Sequence, residues 1–180
     1  MSTVSGYFPP LVTLETFIAQ VLSADHSCRE AVAQGLAQRL ADGQAPCSSD
    51  TGGYCKARQR LPEALVMRRV QETGQGLEVQ AEPSWKWHGR TVKLVDGTTV
   101  SMPDTPANQA DYPQPAGQAP GVGFPQARLV GLIGLASGAV TALGIGANQG
   151  KATGEHALLR PLLTSLAPGE VLLGDSYYSS

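Results

Sequence analysis

Residues 129–150, LVGLIGLASGAVTALGIGANQG, form a run of 22 residues without a charge, bounded by Arg128 and Lys151. A bilayer span needs about 20 such residues, so the length alone permits a membrane helix. Gly134 and Gly138 even stand at the spacing of a helix-contact pattern in membranes. The interior argues otherwise. Six glycines and a Ser137-Gly138 pair at the centre break the run into two apolar segments, 129–136 and 139–147, and no aromatic belt flanks it. The reading adopted is two adjacent buried strands joined by a tight turn, and no membrane partner is expected.

On the C-terminal side, residues 154–166 carry Ala157, Leu158, Leu162 and Leu163 at helical spacing, and residues 170–173 read as a strand ending at Gly174-Asp175. On the N-terminal side, residues 91–95 form a short β-branched and apolar strand that stops at Asp96-Gly97. Between 102 and 125 lie six of the thirteen prolines and no helix or strand period, which predicts a long irregular loop.

The first 45 residues read as helical. Thr13 is expected to cap a helix that buries Leu14, Phe17, Ile18, Val21 and Leu22. Ser27-x-x-Glu30 is a capping box for a second helix with Val32, Leu36 and Leu40 inward and Gly43 at its end. Residues 46–53 read as a polar loop. Pro62 sits in the first turn of a third helix, which is expected to stop at Gly74.

A net charge of −2 gives no global attraction to nucleic acid, so such a partner needs a local patch. Residues 54–95 supply one, with eight basic residues (Lys56, Arg58, Arg60, Arg68, Arg69, Lys86, Arg90 and Lys93) against four acidic ones. Arg68 and Arg69 flank an apolar helix stripe, where a solvated face and phosphate contact are equal alternatives. Trp85 and Trp87, interleaved with Lys86, suit base stacking but fit a packing role better. His26 and His88 have no partner at ligand spacing. Cys28, Cys47 and Cys55 show neither a disulfide framework nor a zinc ribbon, and residues 1–11 lack the pattern of a secretory signal. A reducing cytoplasm is the expected compartment.

Asp96 and Asp175 each follow an apolar strand. Carboxylates at neighbouring strand ends repel unless a divalent cation lies between them, and magnesium suits such hard oxygen donors. Locally, Asp96-Gly97 also fits a hairpin turn and Asp175-Ser176 a helix cap, and spacing alone favours those readings.

Five segments carry a more specific signal: YCKARQRLP (54–62), WKW (85–87), VKLVDGTTVSMPDTPANQADYPQP (92–115), GKATGEHALLRPLL (150–163) and LLGDSYY (172–178). From about Ser48 onward the chain resembles DDE transposases of the insertion sequence 4 family. The resemblance implies an α/β fold: a truncated RNase H-like mixed sheet over residues 84–180, preceded by a helical accessory and DNA-binding region over 1–83.

It also implies DNA transposition, with transposon ends cut and joined by two-metal phosphoryl transfer. Asp96 and Asp175 match the first and second catalytic, metal-binding aspartates, with Mg2+ or Mn2+ as cofactor. Lys56, Arg58, Arg60, Arg68, Arg69, Lys86 and Arg90 are the expected contacts to double-stranded DNA. In the family the third ligand is a glutamate well beyond the second aspartate, whereas this sequence stops at Ser180. The chain is therefore expected to be inactive alone, to leave the edge of its last strand bare, and to form homodimers or associate with an intact transposase. A non-catalytic DNA-binding or dimerising remnant is the alternative. Glu155, in the family's own Gly-Lys-x-x-Gly-Glu stretch, reads as a helix-start residue rather than a ligand. Ser176 stands where relatives often carry arginine.

Overall fold

The structure, a computed structural model, describes residues 8–119 and 121–179. Residues 1–7 of the expected helical region and leader-free N-terminus, Pro120 of the expected loop, and Ser180 lie outside them. The chain divides into two compact units, one up to Val66 and one from Met67.

The first unit contains α1 (Pro10–Leu22), α2 (Cys28–Ala41) and α3 (Thr51–Gln59). Helix α1 starts earlier than expected, with Pro9 at the N-cap and Pro10 inside the first turn. Thr13 is no cap: it lies one turn in, and its hydroxyl donates to the Phe8 and Pro9 carbonyls. The buried face is also displaced, to Thr13, Leu14, Thr16 and Gln20, while Ile18, Val21 and Leu22 are exposed. This face is partly polar because its polar groups are satisfied: Gln20 donates from Nε2 to the His26 carbonyl at 2.7 Å and accepts the Tyr54 hydroxyl at 2.8 Å. Ser27 caps α2 as expected, accepting from Glu30 N, and Gly43 follows the helix at φ +72°. Val32 is buried but Leu40 is exposed. Helix α3 begins inside the expected 46–53 loop and has no counterpart in the sequence expectation. Asp50 caps it by accepting from Gly52 N, which offsets the low helix propensity of Gly52-Gly53. Tyr54 on α3 is fully buried and forms the small core with Ala31 and Val32.

Helix α4 (Glu63–Gln80) crosses the division and runs past Gly74, the expected stop. Gly74 is buried because the chain at Val140 and Thr141 passes close by: an added Cβ would meet the Val140 carbonyl oxygen and stand 2.9 Å from Thr141 Cα. It is a contact glycine, not a terminator.

The second unit is built on a four-stranded mixed sheet of β1 (Val92–Ser101), β2 (Gln126–Gly134), β3 (Val140–Ala147) and β4 (Val171–Leu173), in the order β3-β2-β1-β4. The uncharged run is the β2–β3 hairpin, antiparallel from Ala127↔Ala147 to Ile133↔Val140, with Gly138 at φ +67° in its turn. No described helix is long and apolar enough to cross a membrane. Strand β1 does not stop at Asp96. It pairs antiparallel with β2 from Lys93↔Gly134 to Ser101↔Gln126, so Asp96-Gly97 is neither a strand end nor a turn. The expected loop contains a short helix, α5 (Pro106–Asp111), capped by Thr105.

Helix α6 (Glu155–Leu162) connects the hairpin to β4, which pairs parallel with β1. Pro161 lies inside α6, and the expected longer helix gives way to a 3-10 turn at Leu163–Ser165. Val95, Val130, Leu132 and Ala142 from three strands pack with Leu159, and Leu158, Leu162, Leu166 and Leu172 close around them. Among the described residues β4 forms one edge of the sheet, with Leu173 exposed.

Lys93 is buried in β1, and its ammonium lies 2.8 Å from Glu78 Oε2 on α4 and 4.0 Å from Glu170. Ser137 donates to the other Glu78 oxygen. Burial pushes the Glu78 carboxyl up, but the hydrogen bonds from Lys93 and Ser137 and the charges of Lys93 and Lys86 prevail and hold it below its usual 4.5. A depressed folded value gives stability that is complete above about pH 4.5 and is lost as pH falls through the folded value. Glu78→Gln is expected to cost on the order of 3 kcal/mol at neutral pH by leaving Lys93 buried beside a neutral group. It should also flatten the loss of stability below pH 4.5, read from denaturant midpoints against pH. In α4, Gly74→Ala should destabilise by about 1–3 kcal/mol, since backbone must move, whereas Gly76→Ala, with open space around it, should stabilise by up to about 1 kcal/mol.

Candidate functional site

Asp96 lies on the exposed part of β1, directly after the buried Val95, with Gly131 opposite it on β2. Its Oδ1 accepts from the adjacent Gly97 N at 2.8 Å. Asp175 follows β4 by two residues and heads the 3-10 turn Ser176–Ser179, accepting from Tyr177 N at 3.0 Å. The parallel register pairs Leu94 with Leu173. Asp96 and Asp175 each lie two residues beyond this last paired rung, Asp96 within β1 and Asp175 after the end of β4. Segments far apart in sequence therefore run next to each other just before the two aspartates. Gly174 allows this close passage, since an added Cβ would lie 2.7 Å from Val95 Cγ1.

A further carboxylate lies against Gly97, the neighbour of Asp96. Glu155 is the first residue of α6, the helix-start position expected from sequence, and Gly154 is its N-cap. Its carboxylate rests on Gly97, where an added Cβ would stand 2.7 Å from Oε2. The Tyr178 hydroxyl donates to the same oxygen at 2.7 Å, tying the segment after β4 to the start of α6. His156 Nε2 lies 2.9 Å from the Tyr177 carbonyl, and its ring packs against both tyrosines. Sequence reasoning did not single out Tyr177, Tyr178 or His156. The signal available was the Tyr177-Tyr178 pair two residues after Asp175, within the segment that carries the resemblance.

Tyr178 reports on the charge gathered here. Burial raises its phenol well above the usual 10, and the bond to Glu155 and the charges of Glu155, Asp96 and Asp175 add to the rise. All three carboxylates thus act on one hydroxyl. Even so, no group of three or more His, Cys, Asp or Glu side chains able to hold a metal ion occurs among the described residues.

The basic side chains fall in both units. Lys56 and Arg60 are exposed on and just after α3, Arg68 and Arg69 are exposed on α4, and Arg69 pairs with Glu72 at 2.8 Å. Arg58 is engaged locally: its guanidinium lies 4.6 Å from the Phe17 ring centroid and 3.3 Å from Gln20 Oε1. Lys86 is half-buried and Arg90 exposed, the latter in a tight bridge with Trp87. Trp85 and Trp87 are each 57% exposed, which overturns the packing role expected for them. His26 and His88 are exposed, and both have positive φ.

Glu155→Gln is expected to bring the latest-ionising tyrosine back toward 10 by removing a charge at its hydroxyl. Ultraviolet titration will check this, with Tyr178→Phe assigning the signal.

No family model and no solved structure matches the chain. Over 125 residues it is 31% identical to transposase InsG for insertion sequence element IS4 of Escherichia coli strain K12. The match covers 69% of this chain and 27% of that protein, so the chain spans about a quarter of the curated relative it matches. That similarity relates the chain to a transposase.

Proposed function

We propose that the chain is a portion of a DDE transposase, with an RNase H-like sheet over its second unit and a DNA-binding role for its basic segments. The observation that supports this reading is the parallel pairing of β1 with β4, whose last rung, Leu94↔Leu173, lies two residues before each of Asp96 and Asp175. The four-stranded mixed sheet and the crossover through α6 are compatible with this reading, and the transposase similarity supports it.

Asp96 and Asp175 are the proposed ligands of Mg2+ or Mn2+. They fit in donor chemistry: both are exposed, both offer hard oxygens, and each is held by a backbone N–H close in sequence. Magnesium is commonly bound through one or two protein carboxylates. When bound, a metal pair lowers the pKa of an attacking water or 3′-hydroxyl and stabilises the leaving oxygen. The chain's own residues orient the two aspartates, and Tyr178 and Glu155 brace the turn that carries Asp175.

Double-stranded DNA is the proposed partner, met by Lys56, Arg58, Arg60, Arg68, Arg69, Lys86 and Arg90. The second reading, binding without cutting, is favoured by the two-carboxylate set, since the reaction needs a third ligand that the described residues do not gather. Self-association through the β4 edge belongs to that reading.

Mn2+ should raise the thermal midpoint of the chain, and Asp96→Asn or Asp175→Asn should each abolish the rise; an unchanged rise in both variants would remove the ligand assignment. DNA affinity should fall steeply with salt, and the double variant Arg68→Ala with Arg69→Ala should make log K less salt-dependent by about 2 units of slope. With end-sequence DNA and Mn2+, residues 1–180 alone should give no nicking. Efficient strand transfer would overturn the two-carboxylate account.

A further inference from the structure

Two of the three cysteines, separated by 27 positions in sequence, meet in the first unit. Cys28 is the first residue of α2 and Cys55 lies on α3, and their sulfurs are 3.9 Å apart. Both are half-buried, so a small oxidant can reach them. Donors converge on Cys28: Gln20 Nε2 at 3.6 Å and Arg58 Nη1 at 3.8 Å. Arg58 is one helical turn from Cys55 on α3, held by the Phe17 and Tyr54 rings and by Gln20. The same Gln20 receives the buried Tyr54 hydroxyl, so the network fixes both helices around the pair.

We propose that Cys28 and Cys55 form a redox-sensitive dithiol site, oxidised to an intramolecular disulfide by hydrogen peroxide. The Cys28 thiolate attacks one peroxide oxygen; the O–O bond breaks, hydroxide leaves and takes up the thiol proton as water, and Cys28 becomes a sulfenic acid. Cys55 sulfur then attacks the Cys28 sulfur, an S–S bond forms, the S–O bond breaks, and the hydroxyl leaves with the Cys55 proton as a second water. Two thiols lose two electrons and one peroxide gains them. Gln20, Arg58 and the Cys55 thiol all direct donors at the Cys28 sulfur, and this geometry assigns it as the first nucleophile. Burial and the hydrogen bond to Cys28 raise the Cys55 thiol, which suits the resolving partner. A disulfide needs its sulfurs about 2.05 Å apart, so side-chain rotation and a small shift close the remaining gap.

The bond would clip the first residue of α2 to α3 beside the small Ala31, Val32 and Tyr54 core. Cys47, eight positions before Cys55, serves as an internal control. A chain without native structure closes short loops most readily, so random pairing favours Cys47 with Cys55 over Cys28 with Cys55.

The test treats the folded full chain with a small excess of hydrogen peroxide, alkylates remaining thiols, and maps peptides by mass without reduction. The expected product is a Cys28–Cys55 linked peptide, reversed by dithiothreitol, formed equally in Cys47→Ser, and replaced by Cys47–Cys55 in denaturant. Cys55→Ser should leave a sulfenic acid on Cys28, trapped by dimedone. If that variant unfolds, the linkage map of the unaltered chain stands by itself. Preferential pairing through Cys47 in the folded chain, intermolecular dimers as the main product, or oxidation that stops at separate sulfinic acids would each overturn the proposal.

Discussion

Three rungs of parallel pairing, Val92↔Val171, Lys93↔Leu172 and Leu94↔Leu173, are the constraint on which the second unit depends. Parallel strands cannot be joined by a tight turn, so the chain must leave the sheet and return, which the hairpin and α6 accomplish. The return strand has only three residues and needs other anchors. Glu170, just before it, lies beside buried Lys93, and Tyr178, just after it, is bonded to Glu155. Those contacts hold the short strand, and with it the segment carrying Asp175, against β1. The charged strut through Lys93 also explains why an ammonium tolerates burial in a sheet, since Glu78 and Glu170 both face it.

The hairpin was legible because Ser137-Gly138 interrupts an otherwise apolar run, and glycine at positive φ suits the turn. Other boundaries misled for physical reasons. Asp96-Gly97 has turn chemistry, but hydrogen bonding to β2 across nine paired positions outweighs the local preference. Gly74 resembles a helix stop only until the backbone at Val140 is seen against it. Helix α1 hides its buried face because Thr13, Thr16 and Gln20 go inward with their polar groups bonded, so a hydrophobic count points elsewhere.

For the candidate site, sequence pointed to two aspartates and to Glu155 as a helix-start residue. Their mutual placement was not legible, because it arises from strand register between segments far apart in the chain. The expectation that both aspartates end strands holds for Asp175 and fails for Asp96, which sits midway along β1. Tyr178 belongs to no periodic pattern in the sequence, and its role is visible only through its bond to Glu155. The dithiol pair was hidden likewise, since α2 and α3 must fold together before Cys28 and Cys55 meet.

The central claim is that one cation faces both Asp96 and Asp175. Paramagnetic broadening by substoichiometric Mn2+ in the proton–nitrogen NMR spectrum tests it most directly, because Gly97 N and Tyr177 N each hydrogen-bond one of the two carboxylates. The account predicts that both amide signals disappear together at the lowest Mn2+ added, ahead of amides elsewhere. Loss of only one of them, or earlier loss at another acidic residue, would contradict it.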